Sequence, residues 1–473
     1  MDVTNPTLKP YPAYKDSGVP SLGEIPTHWE MRPLKHWVTI NKHVLPETTP
    51  PEYIFKYLDI GSVETGSLVR RPENLCFKDA PSRARRILTK GDTIISTVRT
   101  YLKAVYFVDK NETDLVASTG FAVLTPRSEV DPAFLSFLIR SNSFIDRVTA
   151  NSVGIAYPAI TETVMGGFHV AMPTSIDEQH HITAFLTHID LRVNRLIRIK
   201  RRMVALLNEQ KQAIIHRAVT RGLDPNVRLK PSGVAWLGQV PEHWEIIRSK
   251  RLFSARKDLS RPDDVQLSST QAYGVIPQAK FEELVGRRVV KISMHLEKRR
   301  HVEKDDFVIS MRSFQGGLER AWASGAIRSS YVVLKPQANV DISFFEYLFK
   351  SYGYIRALQA TSDFIRDGQD LTYTDFQMVD LPLLPLDEQR AISTFIIQAT
   401  AAIDTKRTRL EREIDLIREY RTRLVADVVT GKLDVRGVDL AAYGDELAGL
   451  DEALADEDDE GEEEIDEVEE DAG

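Results

Sequence analysis

Two histidines and two pairs of adjacent acids are the residues in this sequence best placed to do chemistry. His28 and His243 each precede a tryptophan in a repeated phrase, SLGEIPTHWE at 21–30 and WLGQVPEHWE at 236–245. Asp177–Glu178 and Asp387–Glu388 stand in the matching contexts IDEQ and LDEQ. Carboxylates and imidazoles of this kind serve general acid–base catalysis when they meet at a substrate. Neither histidine has a second histidine or an acid at ligand spacing, which favours a packed, hydrogen-bonded structural role. The acid pairs fall where helices should begin, and carboxylates there cap free amides and complement the helix dipole. The reading is structural: the His–Trp phrase is a joint anchoring a folded head, and the acids are caps.

The remaining motif classes point the same way. Gly431-Lys432 lacks the upstream glycine and the following hydroxyl of a phosphate loop, and no G-x-G-x-x-G turn follows a strand. The one cysteine, Cys76, excludes an internal disulfide and a cysteine zinc site, and reads as ordinary packing. No catalytic residue, cofactor or metal is expected in this chain.

The elements that must position these residues come in two copies. Beyond the ten-residue phrase, KGDTIIS at Lys90 echoes KDDFVIS at Lys304. FAVLTPRSEVDPAFLSFLIRS at Phe121 echoes YVVLKPQANVDISFFEYLFKS at Tyr331, and VTRGLD echoes VTGKLD. Each copy opens with short β-branched and aromatic runs punctuated by Gly, Pro and Asn, which predict strands. A short helical stretch follows, and each copy closes on one long helix. Ser175 with Glu178 predicts a capping box for the first helix, Pro385 suits the entry to the second, and Gly222 and Gly431 mark their ends. An apolar residue recurs every seven positions at Ile403, Leu410, Ile417 and Leu424. The first helix matches with Val193, Leu207 and Ile214, interrupted by Lys200. Such a seam predicts a coiled coil, and about 45 residues at 1.5 Å rise give a rod of about 65 Å.

The fold class expected is therefore α+β: two β-rich heads separated by two long antiparallel coiled-coil helices, internally duplicated with pseudo-two-fold symmetry. The first head should span 11–174, its helix 175–231, the second head 232–384, its helix 385–438, and an acidic, disordered tail 439–473. No apolar run is long enough to cross a bilayer and no export signal opens the chain, so a cytoplasmic protein is expected.

Charge hints at a partner. The chain carries 61 Lys and Arg against 69 Asp and Glu, but 17 of those acids lie in residues 445–473, which hold no base. Taking 17 from 69 leaves 52 acids against 61 bases, a mildly basic body compatible with nucleic acid. Arg83, Arg85 and Arg86 are expected in a loop of the first head, and Lys298, Arg299 and Arg300 in an equivalent loop of the second. Polar loops at 151–159, 311–317 and 362–370 offer base-edge donors: Arg312, Gln315, Arg366 and Gln369. Arg99, Lys103, Asn151 and Tyr157 complete the candidate DNA contacts.

Taken together, Leu22 to Glu30, Leu237 to Glu245, Glu178-Gln179 with Ile182, and Glu388-Gln389 with Ile392 closely resemble the specificity subunits of type I restriction–modification systems. The resemblance covers residues 11–438; the acidic tail departs from it. It implies that each head reads half of a bipartite double-stranded DNA target, with the helices setting the gap. It implies two modification subunits that use S-adenosylmethionine, and restriction subunits that use ATP and Mg. The competing readings are a stand-alone sequence-specific DNA-binding regulator on the same scaffold, and a structural coiled-coil protein.

Overall fold

A computed structural model describes residues 8–20, 22–154, 157–286, 288–289, 298–310, 313–361 and 371–440. Arg312, Arg366, Gln369 and nearly all of the acidic tail lie outside the described residues. The chain has mixed α and β content, with a β-rich body and two long helices. It divides into two compact units: Met1–Ile199 with Glu413–Gly473, and Lys200–Arg412.

The first unit contains two four-stranded sheets. In one, Thr93–Ser96 and Phe121–Pro126 run antiparallel at the centre, flanked by Val105–Phe107 and Val38–Ile40. All of Thr93–Ser96 and most of Phe121–Pro126 are buried, so both faces of these central strands are covered. In the other, Leu115–Ser118 lies parallel to Ile54–Leu58 and antiparallel to Ala84–Ile87. Trp29–Pro33, carrying the end of the repeated phrase, pairs antiparallel with His169–Pro173. The expected short helix is present at Pro132–Ile139: Asp131 caps it by accepting from the Phe134 amide at 2.7 Å, and a proline occupies the first turn. The main core gathers Trp29, Phe134, Met165, Ile182 and Leu186 with Val428, Val429 and Val435.

In the second unit, Phe253–Arg256, Val332–Pro336, Phe307–Ile309 and Glu319–Arg320 form a four-stranded sheet. Glu245–Arg248 pairs antiparallel with Asp380–Leu383. Asp341 caps the helix Ile342–Phe349 as Asp131 does in the first unit, here at 3.0 Å. An aromatic cluster fills the core, with Phe253 meeting Phe345 edge-on at 5.1 Å and Phe349 at 5.3 Å.

The long helices are Ile176–Arg221, 46 residues, and Leu386–Val429, 44 residues. In the first unit, Val193 and Ile197 pack with Ile414 and Ile417, while Arg421 pairs with Asp190 at 2.8 Å. In the second, Ile215, Ala218 and Val219 join the core with Ile392 and Ile396, and Lys211 pairs with Asp404 at 2.7 Å. Of the seam residues, Val193, Ile403, Leu410 and Leu424 are buried; Leu207, Ile214 and Ile417 are half-buried, as is Lys200. Gly222 and Gly431 follow the two helices in the left-handed conformation (φ 72° and 78°) that ends a helix cheaply only with glycine. Among the described residues, no helix is long and apolar enough to cross a membrane.

Candidate nucleic-acid interface

The Ser175 hydroxyl accepts from the Glu178 amide at 3.4 Å, but the Glu178 carboxylate does not return to the cap. It accepts instead from the Trp29 indole (3.1 Å), the Tyr11 hydroxyl (2.9 Å) and, at 2.9 Å, bonds the His28 imidazole. Only half of the expected capping box forms, because three ring donors outcompete one exposed amide for a buried carboxylate. Burial, reinforced by Glu178, pushes the Tyr11 hydroxyl well above its ordinary range, so it stays a donor. Glu388 repeats the arrangement with Trp244 at 3.0 Å and His243 at 2.8 Å. Among the described residues no phenol joins this second latch, and the Glu388 side chain is 26% exposed against 7% for Glu178. The histidines that had no acid nearby in sequence each have one in space.

The neighbouring glutamines are buried and fully used. Gln179 donates to the carbonyls of Glu129 (3.1 Å) and Pro173 (2.9 Å) and accepts from the Asp131 amide (2.8 Å). Gln389 donates to Asn339 (3.0 Å) and Leu384 (2.9 Å) and accepts from Asp341 (2.7 Å). Each Glu–Gln pair therefore ties a long helix to the repeated phrase and to the following short helix. Asp177 and Asp387 remain exposed at the first turn, where the dipole favours them.

Of the six cations expected in basic loops, Arg85, Arg86 and Arg300 lie on strands. Arg83 is exposed in a turn, but Arg85 and Arg86 lie on the strand Ala84–Ile87. Arg85 stacks over Phe77 at 4.8 Å, and Arg86 pairs with Glu162 at 2.8 Å with its side chain 17% exposed. The Phe77 ring and the Glu162 carboxylate, on opposite faces of the strand, engage these two cations. In the second unit Lys298 is exposed, Arg299 is half-buried, and Arg300 begins the strand Arg300–Val302. Gln315 is exposed in the short helix Ser313–Gly316. Cys76 is half-buried and donates to the Pro51 carbonyl at 3.1 Å.

Four candidates do converge. Arg99, Lys103, Asn151 and Tyr157 sit on two loops of the first unit that are stitched together. The Arg99 amide donates to the Pro158 carbonyl at 2.8 Å, Thr100 Oγ1 and Ser152 Oγ lie 2.8 Å apart, and Val98 bridges Ala159. The Arg99 guanidinium lies over the Tyr157 ring at 4.9 Å. Arg99 and Lys103 both hold left-handed backbone (φ 50° and 54°), a conformation that costs non-glycine residues energy and clusters at functional sites. The sequence reading missed three neighbours: Tyr101 (53% exposed), Leu102 (45%) and Val153 (81%). Rigid backbone, exposed cations and exposed rings are what a nucleic-acid surface requires. Also unanticipated is a second apolar period on the helix Ile176–Arg221, where Leu196, Ile199, Met203 and Leu206 all remain exposed.

No family model matches the chain. It is 21% identical over 432 residues, 88% of this chain and 96% of the relative, to a Methanocaldococcus jannaschii protein named putative type I restriction enzyme MjaX specificity subunit. This chain is a relative of the type I restriction specificity subunits. A second such subunit, that of the HindI enzyme of Haemophilus influenzae, is 27% identical over 141 residues, 28% of this chain and 30% of the relative. A solved chain from work on complex assembly and conformational transition of the type I R-M system shares the fold. It has a TM-score of 0.61 at 20% identity, over 86% of this chain and 99% of its own. These specificity-subunit relatives lend no support to a stand-alone regulator.

Proposed function

We propose that this chain is the DNA-recognition subunit of a type I restriction–modification assembly. In this reading the two units are copies of one design, each head reading one half of a bipartite target, and the long helices form an antiparallel coiled coil. The observation that carries the reading is the relation to a named specificity subunit over nearly the full length of both chains. The latch built twice, Glu178 on His28 and Trp29 and Glu388 on His243 and Trp244, supports the duplication.

The chemistry is then done by others. Modification subunits bring S-adenosylmethionine, restriction subunits bring ATP and Mg, and this chain supplies neither catalytic residue nor cofactor. The Arg99–Tyr157 loops are the base-proximal surface of the first head.

The test is co-expression with the modification subunit followed by sequencing of methylated adenines. Exchange of residues 246–380 for the matching head of a relative should change one half of the methylated sequence only. A change in both halves, or site-independent methylation, overturns the reading.

A further inference from the structure

Tyr101 and Leu102 are an exposed apolar pair at the tip of the 3-10 turn Thr100–Leu102, directly between two cations, Arg99 and Lys103. Their base is rigid. Thr100 is 3% exposed and bonded to Ser152, the Leu102 and Lys103 amides close the turn onto Arg99 and Thr100, and the Thr65 hydroxyl donates to the Lys103 carbonyl at 2.6 Å. Both flanking cations hold left-handed backbone, so the turn is bent sharply at each end and its tip is thrust outward. Tyr157 and Val153 stand beside it, still more exposed. Arg99 covers the Tyr157 ring, while Tyr101 and Leu102 are held out to water by the strained backbone on either side. The cations on either side select a polyanion as the occupant.

Among the described residues of the second unit, no exposed apolar pair of this kind follows the matching strand. After the strand Phe307–Ile309, the short helix Ser313–Gly316 holds Phe314 half-buried against the core, with its carbonyl accepting from Gln359 at 2.7 Å. Gly317 follows where a side chain would collide with the Phe349 carbonyl, so that segment lies close against its own unit.

We infer that Tyr101 and Leu102 are a wedge that enters a base step of the half-site read by the first head and unstacks it. Arg99 and Lys103 hold the phosphates on either side. Apolar residues between base steps, with Arg or Lys nearby, kink and unstack duplex DNA, and the chain recovers on insertion the apolar contact it forgoes in water. The inference rests on the DNA-recognition reading above. It assigns to the first head deformation of the half-site it reads.

The experiment uses the full chain with its modification subunits and a duplex carrying the methylated sequence. 2-Aminopurine is placed at each step of both half-sites except the modified adenine, because methyltransferases extrude the base they modify. Fluorescence anisotropy on the same samples measures binding. The expected result is a rise in 2-aminopurine emission at one step of one half-site only. Tyr101→Ser with Leu102→Ser should abolish that rise and weaken binding about tenfold, with the methylated sequence unchanged. Specific binding without a rise at any step, or a rise that survives the double substitution, overturns the wedge and leaves DNA recognition standing. Equal affinity for target and scrambled duplex overturns the recognition reading itself.

Discussion

Trp29 and Glu178 lie 149 residues apart in the chain and are joined by an indole-to-carboxylate hydrogen bond of 3.1 Å, with Tyr11 and His28 sharing the same carboxylate. Buried donors left without an acceptor cost about 1–3 kcal/mol each, so Glu178→Ala should lose about 3–5 kcal/mol. Glu388→Ala, with two ring partners and a more exposed carboxylate, should lose about half as much. Urea unfolding followed by tryptophan fluorescence measures both. Equal losses, or losses below about 0.5 kcal/mol, would show that the carboxylates are not what holds the joints.

The glycines that end the long helices should differ in the same sense. A side chain at Gly431 would come 2.4 Å from Pro26 Cδ, whereas one at Gly222 would meet nothing nearer than Glu388 Oε1 at 3.3 Å. Both pay for left-handed backbone, about 1 kcal/mol, but only Gly431→Ala adds a clash worth about 1–3 kcal/mol more. Thermal unfolding of the two variants ranks them directly, and a larger loss for Gly222→Ala refutes the ranking.

Burial pushes the Glu319 carboxyl up to about 7, and the Lys350 ammonium that donates to it offsets only part of the shift. The folded chain thus holds this proton more tightly than the unfolded chain does. The stabilisation it contributes is full below about 4.5, falls away as pH rises through about 7, and is gone above. Wild type should therefore lose more thermal stability than Glu319→Gln between pH 5 and pH 8. Parallel melting curves across that range would contradict it.

Arg86 and Lys103 were expected to play one role and should separate into two. Arg86 is ion-paired with Glu162 on a sheet, so Arg86→Ala should lower stability and leave the salt dependence of DNA binding unchanged. Lys103 is exposed on the Arg99 loop, so Lys103→Ala should leave stability intact and reduce the slope of log K against log salt by about one. The reverse pattern would move the DNA surface from the loop to the sheet.

Residues 445–473 carry 17 acids and no base, a charge suited to competing with phosphate for basic side chains. Their removal should strengthen non-specific DNA binding at low salt, and the gain should fade as added salt screens it. Equal affinity of the full and shortened chains at low salt excludes that competition.

What could be read without coordinates was what recurs locally. The His–Trp phrase announced a joint, and Gly222 and Gly431 announced helix ends. The partners of the joint could not be read, because Glu178 reaches His28 only when the tertiary fold closes a loop of 150 residues. Arg86 was misplaced for a related reason: three arginines in a short run suggest a solvated loop, and only strand pairing with Leu115–Ser118 and the approach of Glu162 show otherwise. Tyr101 and Leu102 carry no periodic signal at all. Their importance comes from backbone angles at their neighbours, which no residue type announces.

The first unit is assembled from both ends of the described chain. The Asp434 amide donates to the Lys9 carbonyl at 2.8 Å, Tyr14 donates to the Lys432 carbonyl, and Val428, Val429 and Val435 fill the core around Trp29. The second unit is one uninterrupted stretch, residues 200–412. On the ribosome these two differ in timing. The head made first has to wait for residues 413–440, a delay of about 10–50 s at ordinary elongation rates, while the head made second has all of its residues before translation reaches that segment. The earlier-born head is thus the later to mature, and a nascent chain interrupted near Arg412 would carry its damage at the opposite end of the sequence from the break.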